Sequence, residues 1–85
     1  MASNFVILGA NGGIGSEVCR RLRRQDSNVF LAGRNEEALD APAGELDSPF
    51  RVVDATDCGA VQACIDDAVE AFGRIDGLVN CVGSV

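Results

Sequence analysis

A glycine-rich stretch near the amino terminus has the residue types and the spacing of a phosphate-binding turn. It runs from Gly9 to Gly15 as G-A-N-G-G-I-G. The apolar residues 5–8 before it predict a buried strand, and apolar residues at every fourth position from Ile14 to Leu22 predict a helix after it. Glycine accepts a positive φ and leaves room for a ligand, and the first amides of a helix have no intrahelical partner. The stretch therefore predicts a strand–turn–helix unit that binds a phosphate group.

The spacing of these glycines indicates which phosphate binder to expect. A P-loop requires a Lys for the terminal phosphates, and this chain contains no Lys. The pattern Gly9-x3-Gly13-x-Gly15 resembles the T-G-x3-G-x-G turn of short-chain dehydrogenases/reductases, with Leu8 at the Thr position, and Gly12 also allows the spacing of that superfamily's extended branch. A glycine-rich turn without a ligand is the alternative. The resemblance implies that the cofactor-binding residues of this turn are Gly9, Asn11, Gly12, Gly13, Ile14 and Gly15.

A basic residue follows the second predicted strand, Val29–Ala32. Gly33 ends that strand, and Arg34 and Asn35 come next. In dinucleotide-binding folds this point faces the adenosine ribose, where a carboxylate suits NAD and a guanidinium can bind a 2′-phosphate. The resemblance therefore implies NADP(H) in preference to NAD(H), with Arg34 and Asn35 at the 2′-phosphate. The alternative is that Arg34 is an ordinary exposed loop residue.

The third predicted strand, Phe50–Val53, is followed by the sequence D-A-T-D. This sequence resembles the adenine-site motif D-x-T-D of the same family. The resemblance implies that Asp54 contacts the adenine ring and that Ala55 lies in the cofactor site. A plain turn residue is the alternative interpretation of Asp54.

The fourth predicted strand ends in L-V-N-C-V-G, residues 78–83. It resembles the family's L-V-N-N-A-G segment, with Cys81 and Val82 in place of the middle pair. The resemblance implies that Asn80 braces the sheet, that Gly83 lets the backbone pass close to the cofactor ribose, and that Val82 belongs to the same site. Four such matches in one order cover essentially the whole chain and favour the classical branch of the family over the extended one.

The elements that must position these residues alternate between strand and helix. Strands are predicted at Asn4–Leu8, Val29–Ala32, Phe50–Val53 and Leu78–Val82. Such alternation predicts an α/β fold with a parallel sheet and right-handed crossovers. The resemblance implies a Rossmann-like sheet of strand order 3-2-1-4 with flanking helices, truncated after strand four. Residues 1–85 are then the amino-terminal, cofactor-binding half of a single Rossmann-fold domain, with two helices on one face of the sheet and one on the other.

The first two helices are predicted at Gly13–Arg24 and Glu36–Ala41. The run of arginines that closes the first helix is expected to complement the helix dipole rather than to bind nucleic acid. The second helix is expected to stop at Pro42, because proline lacks the N–H that a helix interior needs, and a loop is predicted over Ala43–Pro49.

The third helix is predicted to begin at a cap provided by Thr56 or Asp57 and to end at Gly73. Its buried face is predicted to consist of Val61, Ile65, Val69 and Phe72.

The catalytic groups of the resembled family are not found in this chain. The resemblance implies a Ser after strand five and a Tyr-x3-Lys on the next helix, and the chain contains neither Tyr nor Lys. We therefore assign no catalytic residue and expect the 85-residue chain to be inactive by itself. A small-molecule substrate is expected only together with the missing half. The alternative is a non-catalytic, nucleotide-binding or self-assembling half-domain.

The composition limits the partners. A formal net charge of −6 argues against nucleic acid. The four cysteines show no C-x-x-C spacing and there is no His, so no metal site is expected and the thiols indicate a reduced, cytoplasmic protein. No apolar run approaches the length of a membrane span. The predicted first strand begins at Asn4, so no signal peptide is expected. Strand four is expected to form an apolar edge that favours a homo-oligomer or other self-association.

Overall fold

The structure, a computed structural model, describes residues 3–10, 13–54 and 56–81. These residues form β1 (Asn4–Leu8), α1 (Gly13–Arg24), β2 (Asn28–Gly33), α2 (Glu36–Leu46), β3 (Phe50–Val52), α3 (Cys58–Phe72) and β4 (Gly77–Asn80). The strands pair in parallel in the order β3-β2-β1-β4. The predicted Rossmann-like α/β fold and its strand order are therefore confirmed. No helix within the described segments is both long and apolar enough to cross a membrane.

Both faces of the two central strands are buried. On one face, α1 and α2 pack around a cluster made of Ile7, Ala10, Cys19, Val29, Leu31, Leu39 and Ala43. On the other face, α3 packs around Val6, Leu8, Phe30, Ala32, Val53, Cys64 and Ala68. Successive strand residues point to opposite faces, so the continuous apolar runs of β1 and β2 supply both clusters. Among the described helices, two thus cover one face and one covers the other, as predicted.

The second helix is longer than predicted. It continues through Pro42 to Leu46, so the predicted stop at the proline and the first part of the predicted loop were wrong. Leu39 and Ala43 lie on one helical face, on either side of the proline, and both are buried in the core. A proline inside a helix costs about 3 kcal/mol. Burial of a leucine side chain contributes about 1.5–3 kcal/mol, so packing of this face offsets much of that local cost.

The buried face of α3 is shifted from the predicted one. Cys64 and Ala68 are fully buried, and Val61 and Phe72 pack against their cluster. Val69, which was predicted to be buried, is 41% exposed. The stripe that faces the sheet thus contains small side chains, which let the helix lie close to the strands. The sequence analysis looked for large apolar residues at helical spacing and therefore did not predict that Cys64 and Ala68 face the sheet.

The ends of α3 follow the sequence signals. Asp57, rather than Thr56, is the cap, and its Oδ1 accepts a hydrogen bond from the Ala60 N–H at 3.1 Å. Gly73 ends the helix with a φ of 87°, in the left-handed region that favours glycine. Both helix boundaries therefore agree with the prediction.

A polar network joins the amino-terminal ends of β1, β2 and β4. Asn4 is buried, and its backbone N–H donates to Asp76 Oδ2 at 2.7 Å, while its Nδ2 donates to the Arg74 carbonyl at 3.0 Å. Its Oδ1 accepts from Asn28 Nδ2 at 2.9 Å. The Asp76 side chain also pairs with the Arg74 guanidinium. The Asn4 N–H and then the Arg74 guanidinium lower the pKa of Asp76 below its usual value. This network, which the sequence analysis missed, fixes the register of three strands.

Candidate functional site

The predicted cofactor-binding residues that the structure describes gather at the carboxyl edge of the sheet. Gly9 directly follows β1, Arg34 directly follows β2, Asp54 comes two residues after β3, and Asn80 is the last residue of β4. All four strands are parallel, so these ends lie at one edge. The chain order reverses between β1 and β4, and this switch point is where α/β sheets bind ligands.

The turn after β1 is held by the backbone of β2. The N–H groups of Gly9 and Ala10 both donate to the Ala32 carbonyl, at 2.8 and 3.0 Å. Gly9 has a φ of 75°, a conformation that favours glycine. The chain therefore turns sharply at the end of β1 before it enters α1 at Gly13.

Gly15 lets α1 pack directly on this turn. A Cβ at Gly15 would lie 2.1 Å from the Gly9 carbonyl oxygen and 3.0 Å from the Ala10 Cα, so no larger residue fits without a backbone shift. The preceding residue, Ile14, is 76% exposed. Of the apolar residues whose spacing predicted this helix, Val18 and Leu22 pack against the core.

Five of the predicted site residues lie outside the described part of the chain. They are Asn11, Gly12, Ala55, Val82 and Gly83. The geometry of the candidate site is therefore described from the remaining residues of the glycine turn and of the other strand ends.

The end of β2 provides an exposed cation and a helix cap. Arg34 is exposed and directly follows Gly33, the last residue of β2. Asn35 caps α2, since its Oδ1 accepts from the N–H groups of Glu37 at 3.0 Å and Ala38 at 3.3 Å. The sequence analysis predicted that Asn35 binds the cofactor and missed its function as a helix cap. An Asn directly followed by two acidic residues is a typical helix start.

Asp54 is a hydrogen-bonded carboxylate beside Arg34. Its Oδ1 accepts hydrogen bonds from the Thr56 N–H at 2.9 Å and from the Thr56 hydroxyl at 2.7 Å. The Val53 N–H donates to the Gly33 carbonyl at 2.7 Å, which ties the segment before Asp54 to the end of β2. The Thr56 hydroxyl, then the Thr56 N–H, and to a smaller extent the charge of Arg34 lower the pKa of Asp54. Asp54 is therefore a carboxylate at neutral pH.

The end of β4 is joined to β1 beside the glycine turn. Asn80 lies opposite Leu8 in the parallel register, and the Cys81 N–H donates to the Leu8 carbonyl at 2.8 Å. Cys81 packs against the cluster that contains the buried Cys19. Burial raises the pKa of Cys19 to about 12, so this thiol stays protonated at neutral pH. Cys81, which stands where the family segment L-V-N-N-A-G has its second Asn, is thus partly buried.

Sequence comparison identifies similar proteins of greater length. A family model of short chain dehydrogenases matches residues 3–85. An uncharacterized oxidoreductase of Staphylococcus epidermidis is 39% identical over 82 residues, which cover 92% of this chain and 35% of that protein. Sulfoacetaldehyde reductase 2 of Chromohalobacter salexigens is 39% identical over 87 residues, which cover 98% of this chain and 34% of that protein. The chain thus spans about a third of the length of these relatives.

Solved structures show the same arrangement. A variant of the actinorhodin polyketide ketoreductase, solved with NADPH, superposes with a TM-score of 0.92 at 32% identity, over 98% of this chain and 34% of that chain. A short chain dehydrogenase/reductase of Burkholderia phymatum, solved with NAD, gives a TM-score of 0.88 at 28% identity, over 91% of this chain and 29% of that chain. Proteins similar to this chain therefore bind nicotinamide dinucleotides, some with and some without the 2′-phosphate.

Proposed function

The chain belongs to the short chain dehydrogenase family, and on that premise we propose that it is the NADP(H)-binding part of an oxidoreductase. The proposed reaction is hydride transfer between a carbonyl or alcohol substrate and the nicotinamide ring, which supplies the hydride chemistry when the cofactor is bound. The chain spans about a third of the length of its relatives. We therefore assign cofactor binding to this chain, and we propose the reaction and the substrate for the whole protein.

The carboxyl edge of the sheet suits a dinucleotide in shape and in charge. The sharp turn at Gly9 and the close packing of Gly15 leave the first turn of α1 at the switch point, where its N-terminal amides favour a pyrophosphate. The carboxylate of Asp54 can accept a hydrogen bond from the adenine ring. Ile14 presents an apolar side chain beside the turn that a bound cofactor would cover. The proposed contacts also include Asn11, Gly12, Gly13, Asn35, Ala55, Asn80, Val82 and Gly83.

The observation that carries the NADP(H) preference is the exposed Arg34 directly after β2. A guanidinium there can form two parallel hydrogen bonds to a 2′-phosphate, whereas a carboxylate would repel it. One similar structure was solved with NADPH and another with NAD, so the preference rests on this residue rather than on the neighbours.

Titration of the chain with NADPH and NADH tests this proposal. We expect Arg34→Ala to raise the Kd of NADPH about ten- to hundredfold, because charge-assisted hydrogen bonds contribute about 1.5–3 kcal/mol. The Kd of NADH is expected to change less than about threefold, since NADH lacks the 2′-phosphate. Arg24→Ala removes another exposed cation, from the last turn of α1, and should change neither Kd. Equal losses for both cofactors would contradict the phosphate role of Arg34.

We further propose that this chain binds the cofactor without catalysing its reaction, because it contains no Tyr and no Lys. The NADPH-loaded chain, mixed with a carbonyl compound, should keep its reduced-nicotinamide absorbance. Consumption of NADPH by the chain alone would contradict this assignment.

The unpaired state of all four cysteines supports a cytoplasmic location, since reducing compartments keep thiols free.

The second candidate function is a non-catalytic half-domain that binds a nucleotide or assembles with copies of itself. The exposed side chain of Leu78 on the edge strand β4 favours self-assembly. A folded sample that binds neither NADPH nor NADH would favour the self-assembling half-domain over the first candidate.

A further inference from the structure

Thr56 holds the carboxylate of Asp54, and the start of α3 does not need its side chain. The Thr56 hydroxyl donates to Asp54 Oδ1 at 2.7 Å, and its N–H donates to the same oxygen at 2.9 Å. The cap of α3 is Asp57, whose Oδ1 accepts from the Ala60 N–H. The backbone turn is closed separately, since the Asp57 N–H donates to the Asp54 carbonyl at 2.9 Å. The hydroxyl of Thr56 therefore orients the carboxylate rather than capping the helix.

The two bonds from Thr56 fix which oxygen of the carboxylate is left for a ligand. Both end on Oδ1, and no hydrogen bond from the described residues reaches Oδ2. Two donors on one oxygen restrict rotation of the carboxylate about its terminal bond. Because an ionised carboxylate has only acceptor sites, the available Oδ2 selects a group that donates a hydrogen bond.

Asp54 lies next to the point where the adenosine half of the cofactor is proposed to bind. The backbone bond from Val53 to Gly33 continues the pairing of the two strand ends beyond β3, which brings Asp54 beside Arg34. Arg34 provides the cation for the 2′-phosphate, so the neighbouring acceptor faces the base or the sugar of the same nucleoside. The 6-amino group is the hydrogen-bond donor that adenine presents on its ring.

We propose that Thr56 is a positioning residue that orients the Asp54 carboxylate to accept a hydrogen bond from the 6-amino group of the cofactor's adenine. This inference rests on the proposed dinucleotide-binding function. The Thr56 hydroxyl then determines base specificity, because it favours adenine over a purine that carries an oxygen at the same position. Loss of the hydroxyl leaves only the Thr56 N–H on Oδ1, so the carboxylate is held less firmly and that discrimination is reduced.

The test compares NADPH with its analogue in which hypoxanthine replaces adenine. Kd values for both ligands are measured by nicotinamide fluorescence with the full chain, with Thr56→Val and with Thr56→Ser. We expect the unchanged chain to bind NADPH about tenfold more tightly than the analogue, the difference expected of a charge-assisted hydrogen bond. The ratio should fall to about twofold or less in Thr56→Val and stay near its original value in Thr56→Ser, which keeps the hydroxyl.

The ratio separates positioning from a merely structural effect. A distortion of α3 in Thr56→Val would weaken both ligands by the same factor, and an unchanged ratio would overturn the inference. Thr56→Ala, which creates no new contact, provides the same test if Thr56→Val does not fold. Equal affinities of the unchanged chain for the two ligands would also overturn the inference while leaving the proposed function intact. Binding of neither ligand would overturn both.

Discussion

At the scale of single residues, Gly15 carries the strictest steric requirement of the candidate site. A Cβ there would lie 2.1 Å from the Gly9 carbonyl oxygen, and the atoms it meets belong to the backbone of the glycine turn. We therefore expect Gly15→Ala to lower the free energy of unfolding by about 1–3 kcal/mol, the usual cost of overpacking. It should also weaken NADPH binding, because α1 must move away from the turn. Chemical denaturation and a cofactor titration measure the two effects.

A matched control exists in α2. A Cβ at Gly44 would meet no atom within 4 Å, so Gly44→Ala adds the same methyl group without a clash. Because alanine is the better helix former, we expect this variant to be more stable by about 0.5–1 kcal/mol. If Gly15→Ala were as stable as the unchanged chain, the close contact between α1 and the turn would not be a constraint.

Asp76 makes the stability of the fold depend on pH. The Asn4 N–H and the Arg74 guanidinium lower its pKa in the folded chain below the usual value of 3.8. A lowered pKa means that the unfolded chain takes up the proton first, so the stability contributed by Asp76 is present above about pH 4 and is lost as the pH falls through the folded pKa. We expect Asp76→Asn to be less stable at neutral pH and to lose less stability on acidification. Denaturant midpoints at about pH 7 and about pH 3 measure this difference.

Asp40→Asn is the control for this acid effect. It removes the same charge from an exposed position of α2 and should leave the difference between the two midpoints unchanged. Asp54, whose pKa is also lowered, keeps part of the acid sensitivity in both variants. An equal pH dependence in Asp76→Asn and in the unchanged chain would mean that the network at the amino edge does not hold the carboxylate in solution.

At the scale of elements, two opposing effects act on α2: a proline inside the helix destabilises it, and packing against the core stabilises it. Pro42 lies inside the helix and cannot donate to the Ala38 carbonyl, so one hydrogen bond of the helix is missing. We expect Pro42→Ala to raise the free energy of unfolding by about 1–3 kcal/mol, since part of the gain is offset by a more flexible unfolded chain. Denaturant unfolding monitored by circular dichroism measures the change.

Pro49→Ala is the matched control, because this proline lies in the loop between α2 and β3. Its carbonyl accepts from the Leu31 N–H at 3.0 Å, and the substitution preserves that bond. We expect a change within about 1 kcal/mol. If Pro42→Ala were less stable than the unchanged chain, Pro42 would stabilise the folded chain by more than the missing hydrogen bond costs.

The same helix shows where sequence reasoning succeeded and where it failed. The strands β1 and β2 were predictable because their uninterrupted apolar runs match burial on two faces. The extent of α2 was not, since the local signal of Pro42 opposed a tertiary signal, the burial of Leu39 and Ala43. The common edge of the sheet at which these residues lie was predictable from the glycine turn and the strand ends. The Asn35 cap had a sequence signal that was missed, whereas the hydrogen bond from Thr56 to Asp54 depends on side-chain geometry that spacing does not encode.

At the scale of the whole molecule, the sheet has unequal edges. The edge strand β4 pairs with β1, and no other strand among the described residues pairs with its outer side. Val79 packs against the core on the α1 and α2 face, while Leu78 is 47% exposed on the opposite face. The other edge strand, β3, has three residues, and its Arg51 pairs with Asp67 of α3. A short strand that carries a charged pair is protected against pairing with other chains, so β4 is the edge at which self-association is expected.

We therefore expect the 85-residue chain to self-associate through β4, with a mass in light scattering that increases with concentration. Leu78→Asp places a charge on the exposed face of this strand and should shift the population toward monomer. Val52→Asp on β3 is the matched control, because Val52 is exposed to nearly the same degree, 46% against 47%. It should leave the association unchanged, since β3 is not the strand that pairs. If the unchanged chain is monomeric at all concentrations, the chain does not self-associate through β4. If Val52→Asp disrupts the assembly as strongly as Leu78→Asp, the copies meet through apolar surface in general and not through β4.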